Sequence, residues 1–194
     1  MLLIKPPSQD QLKIFLQNTA QGKFSYPDVG KTNSHEKIQG YDNDHNRILL
    51  GHGEKVFHSA CDAIRTWKMF PGGWARIEPP NAPVKKGQVV AMVAKVMGFY
   101  WVNNCRIVYL LDEMEPVRKY GFAYGTLAQH VEKGEELFSV EWLPDGSVWY
   151  VLRAFSKPRF WLARLCYPLA RLYQRKFVKE SQRAMQLEIR KLEN

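Results

Sequence analysis

Apolar positions repeat with two different periods along this chain. Near the start, Leu12, Phe15 and Leu16 fall at helical spacing within residues 8–18, with Ser8 or Asp10 as caps, which predicts a short helix. Residues 18–40 are rich in Gly, Ser, Thr and Asn and read as loop, and residues 46–50 as a short strand ending at Gly51 and Gly53. From 54 to 70, Val56, Phe57, Ala60, Ile64 and Trp67 again share a helical face, which Pro71-Gly72-Gly73 terminates. Pro79, Pro80 and Pro83 mark an extended connector. The period then drops to two. Residues 88–97, 105–111, 120–127, 135–143 and 147–155 alternate as strands, and Pro144-Asp145-Gly146-Ser147 predicts a tight turn pairing the last two. Beyond Pro158, a stripe through Trp161, Leu165, Leu169, Leu172 (or Tyr173), Phe177, Ala184 and Leu187 predicts a long closing helix, with Pro168 as a kink or a new start.

This order predicts an α+β fold in one domain over residues 1–194: an N-terminal helix and loop (1–45), a curved antiparallel sheet, and a basic C-terminal helix (157–194). The sheet would wrap around that helix, and its ends could enclose a cavity. At 45% apolar and 13% aromatic residues, the composition excludes a disordered tail and a disulfide-stapled miniature scaffold. Cys61, Cys105 and Cys166 are odd in number and form no close pair, so reduced thiols and a cytoplasmic location are expected. Only Met1 to Ile4 precede Lys5, and no apolar run approaches the roughly 20 residues of a membrane-spanning helix.

The net charge of +9 is not evenly spread. Residues 157–194 hold ten Lys and Arg against three Glu, or +7, which leaves +2 for residues 1–156. Such a segment suits a solvated helix face first, and an anionic membrane surface or acidic partner second. Nucleic acid is not indicated, because no base-reading motif accompanies the charge.

The short motifs fail as catalytic signatures. Gly30-Lys31-Thr32 lacks the first glycine of a phosphate loop, since Ser25 holds that position, and Pro27 lies inside it. Gly51-His52-Gly53 lacks the third glycine of a dinucleotide fingerprint, since Val56 stands there. The five histidines show no ligand spacing, so no metal or other cofactor is expected. His130, Glu135 and Glu136 could converge across a hairpin but read first as solvent-facing.

Charges within apolar strands say more. Arg153 alternates with Trp149, Val151 and Phe155, Arg106 with Val108 and Leu110, and Glu141 interrupts another strand. A buried guanidinium needs a fixed anionic or carbonyl partner, since leaving it unpaired costs about 3–5 kcal/mol. An internal pair with Glu141 is the first expectation, a ligand's carboxylate or phosphate the second, and exposure at an open sheet edge the third.

Several blocks resemble a known family. Phe24-Ser25-Tyr26-Pro27-Asp28-Val29-Gly30, Trp67-Lys68-Met69-Phe70-Pro71 with Trp74, and Asn104-Cys105-Arg106-Ile107-Val108-Tyr109 carry the likeness. So do Gly121-Phe122-Ala123-Tyr124-Gly125-Thr126-Leu127 with His130, Gly134, Glu135 and Glu136, Trp149-Tyr150 through Arg153-Ala154-Phe155-Ser156, and Tyr167-Pro168-Leu169. They resemble domain of unknown function family 1990, also called uncharacterised protein family 0548. The resemblance implies a helix-grip fold similar to START and birch-pollen-allergen-like proteins, a superfamily that often holds lipids, hormones or other apolar molecules. It implies no catalytic residue.

The expected function is therefore a binding module for a hydrophobic or amphipathic small molecule such as a lipid. Tyr26, Trp67, Trp74, Tyr109, Tyr124, Phe155 and Trp161 would line or gate the cavity, and Arg106 or Arg153 would orient an acidic head group. A peripheral membrane or partner role for the basic helix is the alternative. An enzyme is the third reading, and Glu141 with Tyr124 would be its acid–base pair.

Overall fold

The computed structural model describes residues 1–34, 36–159 and 167–192. Helix α1 (Gln9–Thr19) begins where predicted: the Ser8 hydroxyl accepts the Gln11 N–H, and the Gln11 side chain accepts the Ser8 N–H. Helix α2 (Glu54–Arg65) stops earlier than expected, because Trp67 adopts a positive φ and turns its side chain back into the core.

Among the described residues, eight strands form one antiparallel sheet. They are β1 (Leu2–Leu3), β2 (Asp42–His52), β3 (Ala75–Glu78), β4 (Val89–Val96), β5 (Phe99–Glu113), β6 (Arg118–Thr126), β7 (Glu132–Trp142) and β8 (Ser147–Pro158). The spatial order is β2-β8-β7-β6-β5-β4-β3, with β1 paired to the far end of β5. The five predicted strands are thus a meander, extended by β2 on one edge and β3 on the other. Strand β3 lies just before the predicted connector, in residues assigned to no element, and β2 begins four residues before its predicted start. Residues 42–47 are all polar, so no apolar alternation marks the strand, although exposure alternates along it because only one face of β2 is covered.

The concave face carries the main core. Phe122, Phe138, Tyr150 and Leu152 meet α2 and the closing helix α3 (Tyr167–Arg190). So α2 shares the concave face that the sequence assigned to the last helix alone. The α3 stripe also differs from expectation: Leu172 and Leu187 are exposed, and Ser181, Met185 and Ile189 are buried instead. Trp161 and Leu165 lie outside the described residues. The convex face is covered by the N-terminal segment, with Leu12 and Phe15 of α1 on Ala91, Val93 and Val102.

A β-bulge in β5 between Ile107 and Tyr109 reverses the alternation along that strand. Cys105 and Ile107 therefore pack in the concave core, whereas Tyr109 and Leu111 pack on the convex side with Ala123 and Leu137.

Candidate functional site

The closing helix meets the sheet unevenly. Its second half packs flush: Ser181 and Tyr150 share a hydroxyl hydrogen bond of 2.8 Å, and Met185 and Ile189 are buried in the core. Its first half stands off and leaves a hollow of about 680 Å³ between sheet and helix. The walls are mostly apolar and aromatic, with Phe70, Trp74, Met92, Leu152, Tyr173 and Phe177 among them. Two polar ties hold the helix at this distance. Arg171 donates to both carboxylate oxygens of Asp44 at 2.7 Å, and Gln174 donates to Glu132 at 2.8 Å.

One row of side chains crosses the concave face beneath the hollow. Strand register aligns Asp44 of β2, Ala154 of β8, Glu136 of β7 and Tyr124 of β6. Neighbouring strands are about 4.8 Å apart, so Asp44 and Glu136 sit roughly 10 Å from each other with only the Ala154 methyl between them. Tyr124 donates to Glu136 at 3.0 Å. Burial pushes the Glu136 carboxyl up to about 7, assisted by the Glu132 and Asp44 charges and opposed by the Tyr124 hydrogen bond. Burial, and then the Glu136 charge, hold the Tyr124 phenol well above its ordinary range. Glu132 is raised by burial, against the Gln174 hydrogen bond and the Arg171 charge. His130 also lines the hollow. Its Nδ1 accepts the Glu132 N–H, and burial depresses its pKa to about 3, so the ring is neutral. Glu136 and Tyr124 form a hydrogen-bonded pair in a mostly apolar space, where the carboxyl takes up its proton near neutral pH and the phenol keeps its own. Among the described residues no group of His, Cys, Asp and Glu is arranged to hold a metal ion.

The expected site residues divide between the two faces. Trp74 and Tyr124 line the hollow. Phe155 borders it, but its ring packs edge-on against Tyr26 and Tyr41. Trp67 is a core residue whose indole N–H donates to the Ala82 carbonyl at 2.7 Å. Trp161 lies outside the described residues. Tyr26, Arg106, Tyr109 and Arg153 are on the convex face, which corrects the expectation that they line the cavity. Arg106 donates to the Ala20 carbonyl at 2.7 Å and lies over the Phe24 ring. Arg153 does not pair with Glu141: it donates to the carbonyls of Thr32 at 3.1 Å and Ser34 at 3.4 Å. Glu141 opposes Lys119, on the other face from Glu136 and five residues further along β7, so it forms no acid–base pair with Tyr124.

The convex residues form a clip around Glu135. This carboxylate accepts Tyr26 Oη at 2.7 Å, the Gly30 N–H at 2.7 Å, the Thr32 N–H at 3.0 Å, and the Thr32 hydroxyl, which also contacts Tyr109. Gly30 takes φ 86° to turn its N–H inward, so Gly30-Lys31-Thr32 cradles a side-chain carboxylate of its own chain. Gly125 leaves the space for the Tyr26 ring: a Cβ there would sit 1.9 Å from Tyr26 Oη.

Sequence reasoning read Glu135, Glu136 and His130 as solvent-facing. His130 and Glu135 are 5% and 3% exposed, and Glu136 is partly buried, turned toward the hollow and not the outer surface. The usable signal was the alternation Glu136, Phe138, Val140, which places that glutamate on the face of two core residues. Asp44, Glu132 and Gln174 carried no comparable signal.

A family model for a domain of unknown function, DUF1990, matches residues 25–184. A UPF0548 protein of Dictyostelium discoideum is 34% identical over 199 aligned residues, covering 93% of this chain and 92% of its own. One from Arabidopsis thaliana is 31% identical over 194 aligned residues, covering 92% and 93%. Among solved structures, a norcoclaurine synthase point mutant of Thalictrum aligns over 82% of this chain and 100% of its own, with 11% identity and a TM-score of 0.48. Ara h 8.0201 aligns over 80% and 100%, with 14% identity and a TM-score of 0.45. Since the matched segment runs from the loop of the convex clip through most of α3, the chain belongs to the DUF1990 family, whose relatives above carry the name UPF0548.

Proposed function

We propose that this protein is a binding module that holds a hydrophobic or amphipathic small molecule between its sheet and the first half of α3. The observation that carries this reading is the hollow of about 680 Å³, within the size range of small-molecule sites and walled mainly by apolar and aromatic side chains. Burying apolar surface of a guest there contributes roughly 25 cal/mol per Å². The test is native mass spectrometry of the purified protein, together with titration by the neutral fluorescent dye Nile red. A retained guest, or saturable dye binding that Ala170→Trp abolishes by filling the hollow, is the expected result. No guest and no saturable dye binding overturn the reading.

A second reading is favoured by the outer side of α3. Arg175, Lys179, Arg183 and Arg190 are exposed there and, among the described residues, make no salt bridge, and Leu172 and Leu187 lie on the same side. This face would adhere to an anionic lipid surface. Pelleting with phosphatidylserine vesicles at low salt, lost when the four basic residues become Gln, is the expected outcome. Absence of pelleting at low salt rules it out.

A further inference from the structure

The charge inside the hollow is opposite to that of the molecule around it. The chain carries +9 overall, yet among the described residues no Lys or Arg lines the hollow, and His130 there is neutral. Its ionisable acids are Asp44, Glu132 and Glu136 on the concave side. Asp44 is neutralised by the two-pronged Arg171 bond. Glu132 has an amide partner, Gln174, and Glu136 has a phenol, Tyr124. Neither glutamate has a cation within salt-bridge distance among the described residues. Glu136 is partly buried and borders the hollow, and one hydrogen bond leaves most of its acceptor capacity unused. A carboxylate held among apolar walls without a counter-ion is costly, and a positive group delivered to it offsets that cost.

We propose that the guest of this hollow is a cationic amphiphile: an apolar body against Phe70, Trp74 and Phe177, with a protonated amine on Glu136 and the Glu132 charge nearby on the same strand. This rests on the binding-module reading above and names its ligand class. It also reverses the polarity expected from Arg106 and Arg153, whose guanidinium groups the fold holds on the opposite face. The elevated proton affinity of Glu136 fits the same arrangement, since a carboxyl that lacks a cation holds its proton more tightly.

The test uses three probes of equal chain length, decylammonium, decanol and decanoate, titrated at pH 7.5 below their micelle concentrations and followed by Trp fluorescence. Decylammonium is expected to bind about tenfold more tightly than decanol, and decanoate more weakly than either. The protein's overall positive charge would by itself produce the reverse order, so this ranking reports the local carboxylates. Glu136→Gln is expected to lower decylammonium affinity about tenfold and to leave decanol binding unchanged, which also shows that the variant is folded. Decanol binding with no preference for the amine, or an amine preference that survives Glu136→Gln and Glu132→Gln together, overturns the amine assignment and leaves the binding module standing. If none of the three probes binds, the hollow is not a ligand site, and both proposals fall.

Discussion

Glu135 and Glu136 are consecutive in the chain and stand on opposite faces of the same strand. Glu135, on the convex side, accepts bonds from two hydroxyls and two backbone N–H groups. Glu136, on the concave side, accepts one, from Tyr124. The saturated carboxylate is a fastener that ties the loop at 26–32 to the sheet. The under-saturated one faces open space and keeps binding capacity in reserve. Chemistry alone does not separate them. The number of donors each meets does.

Breaking the convex partner should have the largest effect. Glu135→Ala leaves the Gly30 and Thr32 N–H groups and the Tyr26 hydroxyl without an acceptor, and a loss of about 4 kcal/mol is expected in urea unfolding. Gly125→Ala should cost about 3 kcal/mol by driving a methyl group into the Tyr26 ring. Combined with Tyr26→Leu, the loss should be less than additive, because the two substitutions disturb the same contact.

On the concave side the effect is one of pH. The folded-state pKa of Glu136, about 7, lies above its ordinary 4.5, so its contribution to stability is full below pH 4.5 and is lost as pH rises through 7. His130 runs the other way: its folded value of about 3 lies below 6.5, so its contribution is present above pH 6.5 and is lost as pH falls toward 3. Between pH 4.5 and 6.5 the two slopes cancel. Glu136→Gln should expose the His130 slope alone, a rise of about 1.4 kcal/mol per pH unit, for a total of about 2–3 kcal/mol across that window. A stability profile unchanged by this substitution would show that Glu136 titrates like an exposed carboxyl.

The smallest effect is expected at the rim of the hollow. Arg171→Ala removes the bond that ties α3 to β2, and with both side chains partly exposed the loss should be about 1 kcal/mol, reduced further by salt. The same substitution leaves Asp44, which borders the hollow, without its guanidinium, so it should strengthen decylammonium binding by a few-fold.

Much of the architecture was legible. The switch of period near residue 88 announced the meander, and the turn at Pro144-Asp145-Gly146-Ser147 appeared where predicted, its Asp145 accepting the Ser147 N–H at 2.9 Å. The site was legible only in part, and Arg153 shows why. Its place on an apolar strand correctly demanded a fixed acceptor, but the carbonyls that meet the demand, those of Thr32 and Ser34, come from a loop about 120 residues earlier. Arg106 and Tyr109 are separated by an odd number of positions, which in a regular strand puts them on opposite faces. The bulge between Ile107 and Tyr109 puts both on the convex one, and no residue type in that stretch announces it.

Local sequence determined where most helices and strands lie and, away from the β5 bulge, which residues within a strand share a face, because backbone sterics and the alternation of side chains act over a few residues. Tertiary structure decided which face encloses the hollow, which glutamate is saturated and which guanidinium is already engaged. Those outcomes depend on donors brought together across more than a hundred residues, and on α3 meeting the sheet flush at one end and standing off at the other.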